Sequence, residues 1–137
     1  MEINRDLVEA RLEEVGEAIR LLRELTSADF EDLTVHQRLS MRYLVIQLVE
    51  AAAAVCLHVL HSMSERASGY PDCFLKMGRL GLIPSDLAER LASAARMGNL
   101  LVHRCSAVDD ERVYLSVREG LGDFEEFSAA VRRVAGE

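Results

Sequence analysis

The segment that most restricts this chain runs from Tyr43 to Leu60 and reads YLVIQLVEAAAAVCLHVL. Wound as a helix, it carries an apolar surface wider than a single stripe. Such a helix is either enclosed by other protein or by lipid. Gln47, Glu50 and His58 interrupt it. Each is costly in hydrocarbon, so the run predicts a helix buried inside a bundle or at a dimer interface, with no membrane involved.

The rest of the chain must supply the partners for that helix, and it reads as helix nearly throughout. No segment alternates apolar and polar residues for long enough to form a strand. Asn4–Thr26 carries Val8, Leu12, Val15, Ile19 and Leu22 at steps of four and three, a single apolar stripe. TSADFED (26–32) is rich in turn residues, and Thr34 is placed to cap a second helix ending near Ser64. Ser64–Asp72 is the main loop, with Gly69 and Pro71 as breakers. A short helix over Cys73–Arg79 follows and stops in Gly81–Pro84. Ser85 is placed to cap a fourth helix from Asp86 to His103. Asp109 or Asp110 caps the last one, whose face carries Val113, Val117, Leu121, Phe124, Ser128 and Val131. Gly120 and Gly122 lie inside it. Four long helices and one short one, joined by short loops, predict an all-α, up-and-down four- to five-helix bundle. The 137 residues fit one domain spanning 1–137.

Composition narrows the function. A net charge of −7 and the absence of Trp argue against a protein that coats nucleic acid or stacks bases on an aromatic platform, while leaving room for a local basic site. Cys56, Cys73 and Cys105 are odd in number and form no CxxC pair, so a disulfide framework or structural zinc is not expected. The charged opening MEINRDLVEARLEE predicts no secretory signal, and a reducing cytoplasm fits best.

Two constellations carry possible chemistry. Arg96, Asn99 and His103 are spaced three and four apart, on one face of an unbroken helix, with the outer two about 10 Å apart along the axis. A cationic fork, an amide and an imidazole that titrates near neutrality are a minimal kit for phosphodiester chemistry. The same residues also fit a solvated helix end with a cation near its C-terminus. On the second helix, Tyr43, Gln47, Glu50, Ala54, His58 and His61 form a polar strip. It fits a structural hydrogen-bonding strip or a cleft wall. His58 and His61 have no evident third and fourth metal ligand, and no metal or cofactor is expected. Cys105 follows His103 by two residues, and nothing else around it resembles a thiol-enzyme site.

Several segments together resemble the HepT-like branch of the HEPN superfamily. Gly98-Asn99-Leu100-Leu101-Val102-His103 is similar to that family's Arg-Asn-apolar-apolar-Val-His motif. Ile46–Ala51 with Leu57–Leu60 is similar to its second helix, and Val108–Tyr114 with Leu121–Phe127 to its C-terminal helix. The resemblance implies a helical toxin paired with a minimal nucleotidyltransferase antitoxin. It implies metal-independent RNA cleavage at a site shared across a homodimer, with the RNA 2′-hydroxyl attacking. His103 would then transfer protons and Asn99 would position the substrate, with Arg104, Glu50 and Gln47 as further substrate contacts.

Two positions depart from the family pattern. Its Arg falls on Gly98, and its Tyr, the residue that antitoxins of this type modify with AMP, falls on Cys105. In the wider superfamily the Arg–His gap varies, so Arg96 is the candidate for the displaced phosphate-stabilising group. The alternatives are a catalytically inactive helical module that docks a nucleotidyltransferase, or one that binds nucleotides.

Overall fold

A computed structural model describes residues 3–136. Among these, every regular element is helical: α1 (Arg5–Leu25), α2 (Val35–Ser62), α3 (Tyr70–Arg79), α4 (Ser85–His103) and α5 (Asp110–Gly136), with short 3-10 turns at Phe30–Asp32 and Cys105–Ala107. α1 pairs with α2 and α3 with α4, while α5 lies against α1, α2 and α4.

The largely apolar α2 is the hub. By length and composition α2 is long and apolar enough to cross a membrane. Here Leu48, Ala52, Val55, Cys56 and Val59 are instead enclosed by the other helices. Its start follows from local chemistry. Thr34 Oγ1 accepts from the Gln37 backbone N–H at 3.2 Å, and Gln37 Oε1 accepts from the Thr34 N–H at 2.9 Å. This reciprocal box satisfies two N–H groups that the first turn leaves without intrahelical partners. Replacing Thr34 by alanine is expected to lower stability by about 1 kcal/mol, read as a fall in urea midpoint at unchanged m-value.

Two boundaries differ from the sequence expectation. α3 begins at Tyr70, so Pro71 lies inside its first turn instead of breaking the chain. The N–H that proline lacks has no intrahelical partner at that position anyway. Ser85 is the first helical residue of α4 and not its cap, a place held by Pro84 with no side-chain hydrogen bond. The α3–α4 connection turns at Gly81, whose φ of 75° is left-handed. Gly78 permits the close approach of the two helices, since a Cβ there would sit 2.7 Å from that of Ala88. Asp109 caps α5, accepting the Arg112 N–H at 2.8 Å. α5 runs unbroken through Gly120 and Gly122, carried by Val117, Leu121, Phe124 and Phe127 in the core.

The core is continuous across all five helices. At its centre Phe74 and Phe127 meet edge to face, 5.5 Å apart. Cys56 and Cys73 are fully buried there. Burial in apolar surroundings, reinforced by the neighbouring Cys73, pushes the Cys56 thiol upward, so it packs as a small hydrophobe.

Candidate active site

α4 stays helical to His103, and this fixes the first constellation. Arg96, Asn99 and His103 are all exposed, on the shared face that their spacing predicts. Asn99 and His103 line a groove of about 410 Å³ between α4 and α2. Glu50 and Ile46 form the α2 wall, and Gly69 and Tyr70, at the start of α3, close one side. Glu50 and His103 are thus brought together from positions 53 residues apart in sequence.

Gly98 forms part of the groove wall and is itself buried. A Cβ built on it meets three carbons of Val49 at 3.4 Å, the edge of ordinary contact. A Cβ is accommodated at this position with at most a slight shift of Val49.

The remaining candidates stand outside the groove. Arg96 is two turns before His103 on the exposed side of α4. Gln47 is exposed on α2 beyond Glu50, and Arg104 is the exposed residue that ends α4. The polar strip on α2 divides by role. Glu50 faces the groove, whereas His58 Nε2 accepts the backbone N–H of Asn4 at 2.9 Å and so ties the start of α1 to the end of α2. His61 lies near His58 at a shallow surface depression, and no group of three potential metal ligands gathers among the described residues.

Two residues of the site went unnoticed in the sequence. Tyr70 brings a phenol ring to the groove wall. Its neighbours Gly69 and Pro71 read as loop, which hid it. Arg42 lies one turn before Ile46. Its guanidinium donates to the Cys105 carbonyl oxygen at 2.8 Å, to the Val108 carbonyl oxygen and to the Asp110 carboxylate. One half-buried cation therefore holds the whole connection that follows His103. In sequence, Arg42 differs in nothing from a surface arginine. Cys105 stands in that connection, exposed and outside the groove.

A second concavity, about 260 Å³, lies between α4 and α5 beside Met97 and Phe124. Its Arg90 is already engaged by Asp86 and Asp123, at 3.2 and 3.0 Å. The α2–α4 groove, by contrast, presents an imidazole, an amide and a carboxylate that have no side-chain partner among the described residues. It is the better candidate for chemistry.

Comparison with known proteins agrees with this fold. The family model described as ribonuclease HepT-like matches residues 12–131. The chain is 22% identical over 121 residues to tRNA nuclease HepT of Aphanizomenon flos-aquae, covering 86% of this chain and 82% of that one. Its fold is similar to that of a tri-AMPylated Shewanella oneidensis HEPN toxin in complex with MNT antitoxin, with a TM-score of 0.85 and 18% identity over 93% of this chain and 98% of that one. It is equally similar to YutE, a cytosolic protein of unknown function from Bacillus subtilis, with a TM-score of 0.86 and 12% identity over 98% and 92% of the two chains. The match over residues 12–131 spans α2, the groove and nearly all of α5, and the chain belongs to the ribonuclease HepT-like family.

Proposed function

We propose that this protein is the toxin of a toxin–antitoxin pair, a cytoplasmic endoribonuclease that cleaves RNA without a metal at a cleft completed by a second copy of the chain. The observation that carries the proposal is the α2–α4 groove, which gathers Glu50, Asn99 and His103 within the family-matched segment. A relative that is a tRNA nuclease, and one solved with an MNT antitoxin, support the substrate class and a nucleotidyltransferase partner.

The chemistry follows from the groups present. The 2′-hydroxyl oxygen attacks the adjacent phosphorus, the bond from phosphorus to the 5′-oxygen breaks, and a 2′,3′-cyclic phosphate remains. His103 moves the proton between the attacking and leaving oxygens. Asn99, one turn away on the same groove wall, orients the phosphodiester. Glu50 is unsuited to hold a phosphate because both are anionic. Its role is to accept a hydrogen bond from a sugar hydroxyl or a base N–H. Gln47 and Arg104 extend these contacts beyond the groove. Arg96 supplies positive charge to the transition state from the same face of α4 as His103. In this proposal two α4 faces meet across a homodimer, which sedimentation at micromolar concentration is expected to show.

The test is cleavage of RNA by the purified protein in EDTA. Products ending in 2′,3′-cyclic phosphate are expected, with loss of cleavage in Arg96→Ala. Intact RNA overturns the proposal and favours the docking module, for which Gly98 at the family's arginine position and a groove wall with no arginine or lysine among the described residues speak.

Gly98→Arg is a separate expectation. In a helix interior, arginine in place of glycine gains about 0.8 kcal/mol of propensity. This is enough to offset a small shift of Val49. A guanidinium aimed at developing negative charge is worth about 10²–10³ in rate. The variant is therefore expected to fold and to cleave faster than the parent by up to that factor, in the same EDTA assay.

A further inference from the structure

Seven of the fifteen arginines of this acidic chain each hold a glutamate or aspartate: Arg11, Arg20, Arg23, Arg42, Arg79, Arg90 and Arg132. Arg38 and Arg118 are among the arginines that hold none among the described residues, and each faces an aromatic ring. The Arg38 guanidinium lies 4.4 Å from the Phe30 ring centre, and that of Arg118 lies 5.8 Å from the Tyr114 ring centre. The two rings meet edge to face at 5.5 Å. Tyr114 is buried, and its hydroxyl donates to the carbonyl oxygen of Ala28 at 2.5 Å. The two cations thus flank one rigid aromatic pair.

A guanidinium stacked on a ring keeps its in-plane N–H edge free and has little rotamer freedom left to lose on binding. The Arg38 Nε–H is buried and has no acceptor among the described residues. The acids beside Phe30, Asp29, Glu31 and Asp32, are all outside ion-pair distance of it. Planar donor edges of this kind match phosphate oxygens. Their place in the fold adds direction. Arg42, one turn from Arg38, is bonded to the carbonyl oxygen of Cys105, two residues past His103. Arg38 therefore lies beyond the His103 end of the groove, with Arg118 on the other side of the Phe30–Tyr114 pair.

We propose that Arg38 and Arg118 form a phosphate-backbone track that continues the α2–α4 groove and holds the single-stranded RNA flanking the scissile bond. This inference rests on the RNA substrate proposed above, and its test does not depend on cleavage. The probe is a fluorescein-labelled, 2′-O-methylated 12-nucleotide RNA, which lacks the attacking hydroxyl. Its binding to the parent protein and to R38Q/R118Q is followed by anisotropy across a salt series. Two lost contacts at about 0.7 per phosphate predict a salt slope shallower by about 1.4 and binding weaker by roughly tenfold or more at 0.1 M salt. Arg118→Gln alone is exposed at its site and is expected to lower the slope by about 0.7 even where the double variant fails to fold. Arg20→Gln, on a paired arginine of α1, leaves the slope unchanged. An unchanged slope in R118Q, or no binding of the probe by the parent, overturns the track. Loss of nucleotidyltransferase capture with RNA binding intact also overturns it, and assigns the face to a protein. Binding that follows the prediction in a protein that cleaves nothing upholds the track and sinks the nuclease.

Discussion

His103→Ala is expected to lower RNA cleavage by about 10²–10⁴-fold, the usual contribution of a positioned proton-transfer group. His103 is exposed in the last turn of α4 and is not bonded to the core, so the variant is expected to keep the parent's melting temperature. Loss of rate at constant stability separates a chemical role from a structural one. His61→Ala is the control, as an exposed imidazole outside the groove whose removal leaves the rate unchanged. His58 does not serve as one, because its Nε2 accepts the Asn4 backbone N–H and its loss loosens α1 from α2. Free imidazole added to His103→Ala is expected to restore part of the rate, since the groove is open. Equal cleavage by the parent and His103→Ala removes the imidazole from the mechanism. In cells, the same pair of proteins is expected to separate growth arrest from normal growth.

The helices were legible in the sequence because each carries its own signal. The α1 stripe, the Thr34 box and the run from Tyr43 to Leu60 depend on neighbours within one or two turns. The errors at Pro71 and Ser85 share a cause. A proline or a cap-forming serine near a helix start fits several adjacent register positions, and packing of Phe74 and Leu87 into the core selects one. The site was half legible. Helical phase placed Asn99 and His103 together, since that is a property of one helix. Phase on α4 alone says nothing of what stands opposite. That Glu50 and Tyr70 face His103, while Gln47 and Arg96 stand apart, is decided by how α2, α3 and α4 dock. The resemblance located Gly98 at the family's arginine position, and the structure adds that this position opens on the groove beside Val49. Arg42 was beyond reach for the same reason, since its three acceptors are more than 60 positions away.

Arg42→Ala is expected to be the most destabilising single change near the site. Its guanidinium and the Asp110 carboxylate are only 18% and 27% exposed, so solvent screens them less than the surface pairs on α1. Removal leaves a half-buried carboxylate and two carbonyl oxygens without their donor. Hydrogen bonds to charged groups are worth about 1.5–3 kcal/mol each, and three share one cation. Screening and relaxation of the exposed turn reduce the sum, and a loss of about 3 kcal/mol is the expected result, or roughly a 10 °C fall in melting temperature. A double-mutant cycle with Asp110→Asn is expected to return a coupling of about 1–2 kcal/mol, with the rest belonging to the two carbonyls. Arg42→Lys tests what the fork does beyond its charge. A single ammonium can hold Asp110 but cannot reach all three acceptors in the planar geometry. It is expected to recover part of the stability while cleavage stays low, because the connection after His103 is no longer fixed and the imidazole loses its orientation in the groove. Full cleavage by Arg42→Lys well below its melting temperature would confine Arg42 to holding α5 in place.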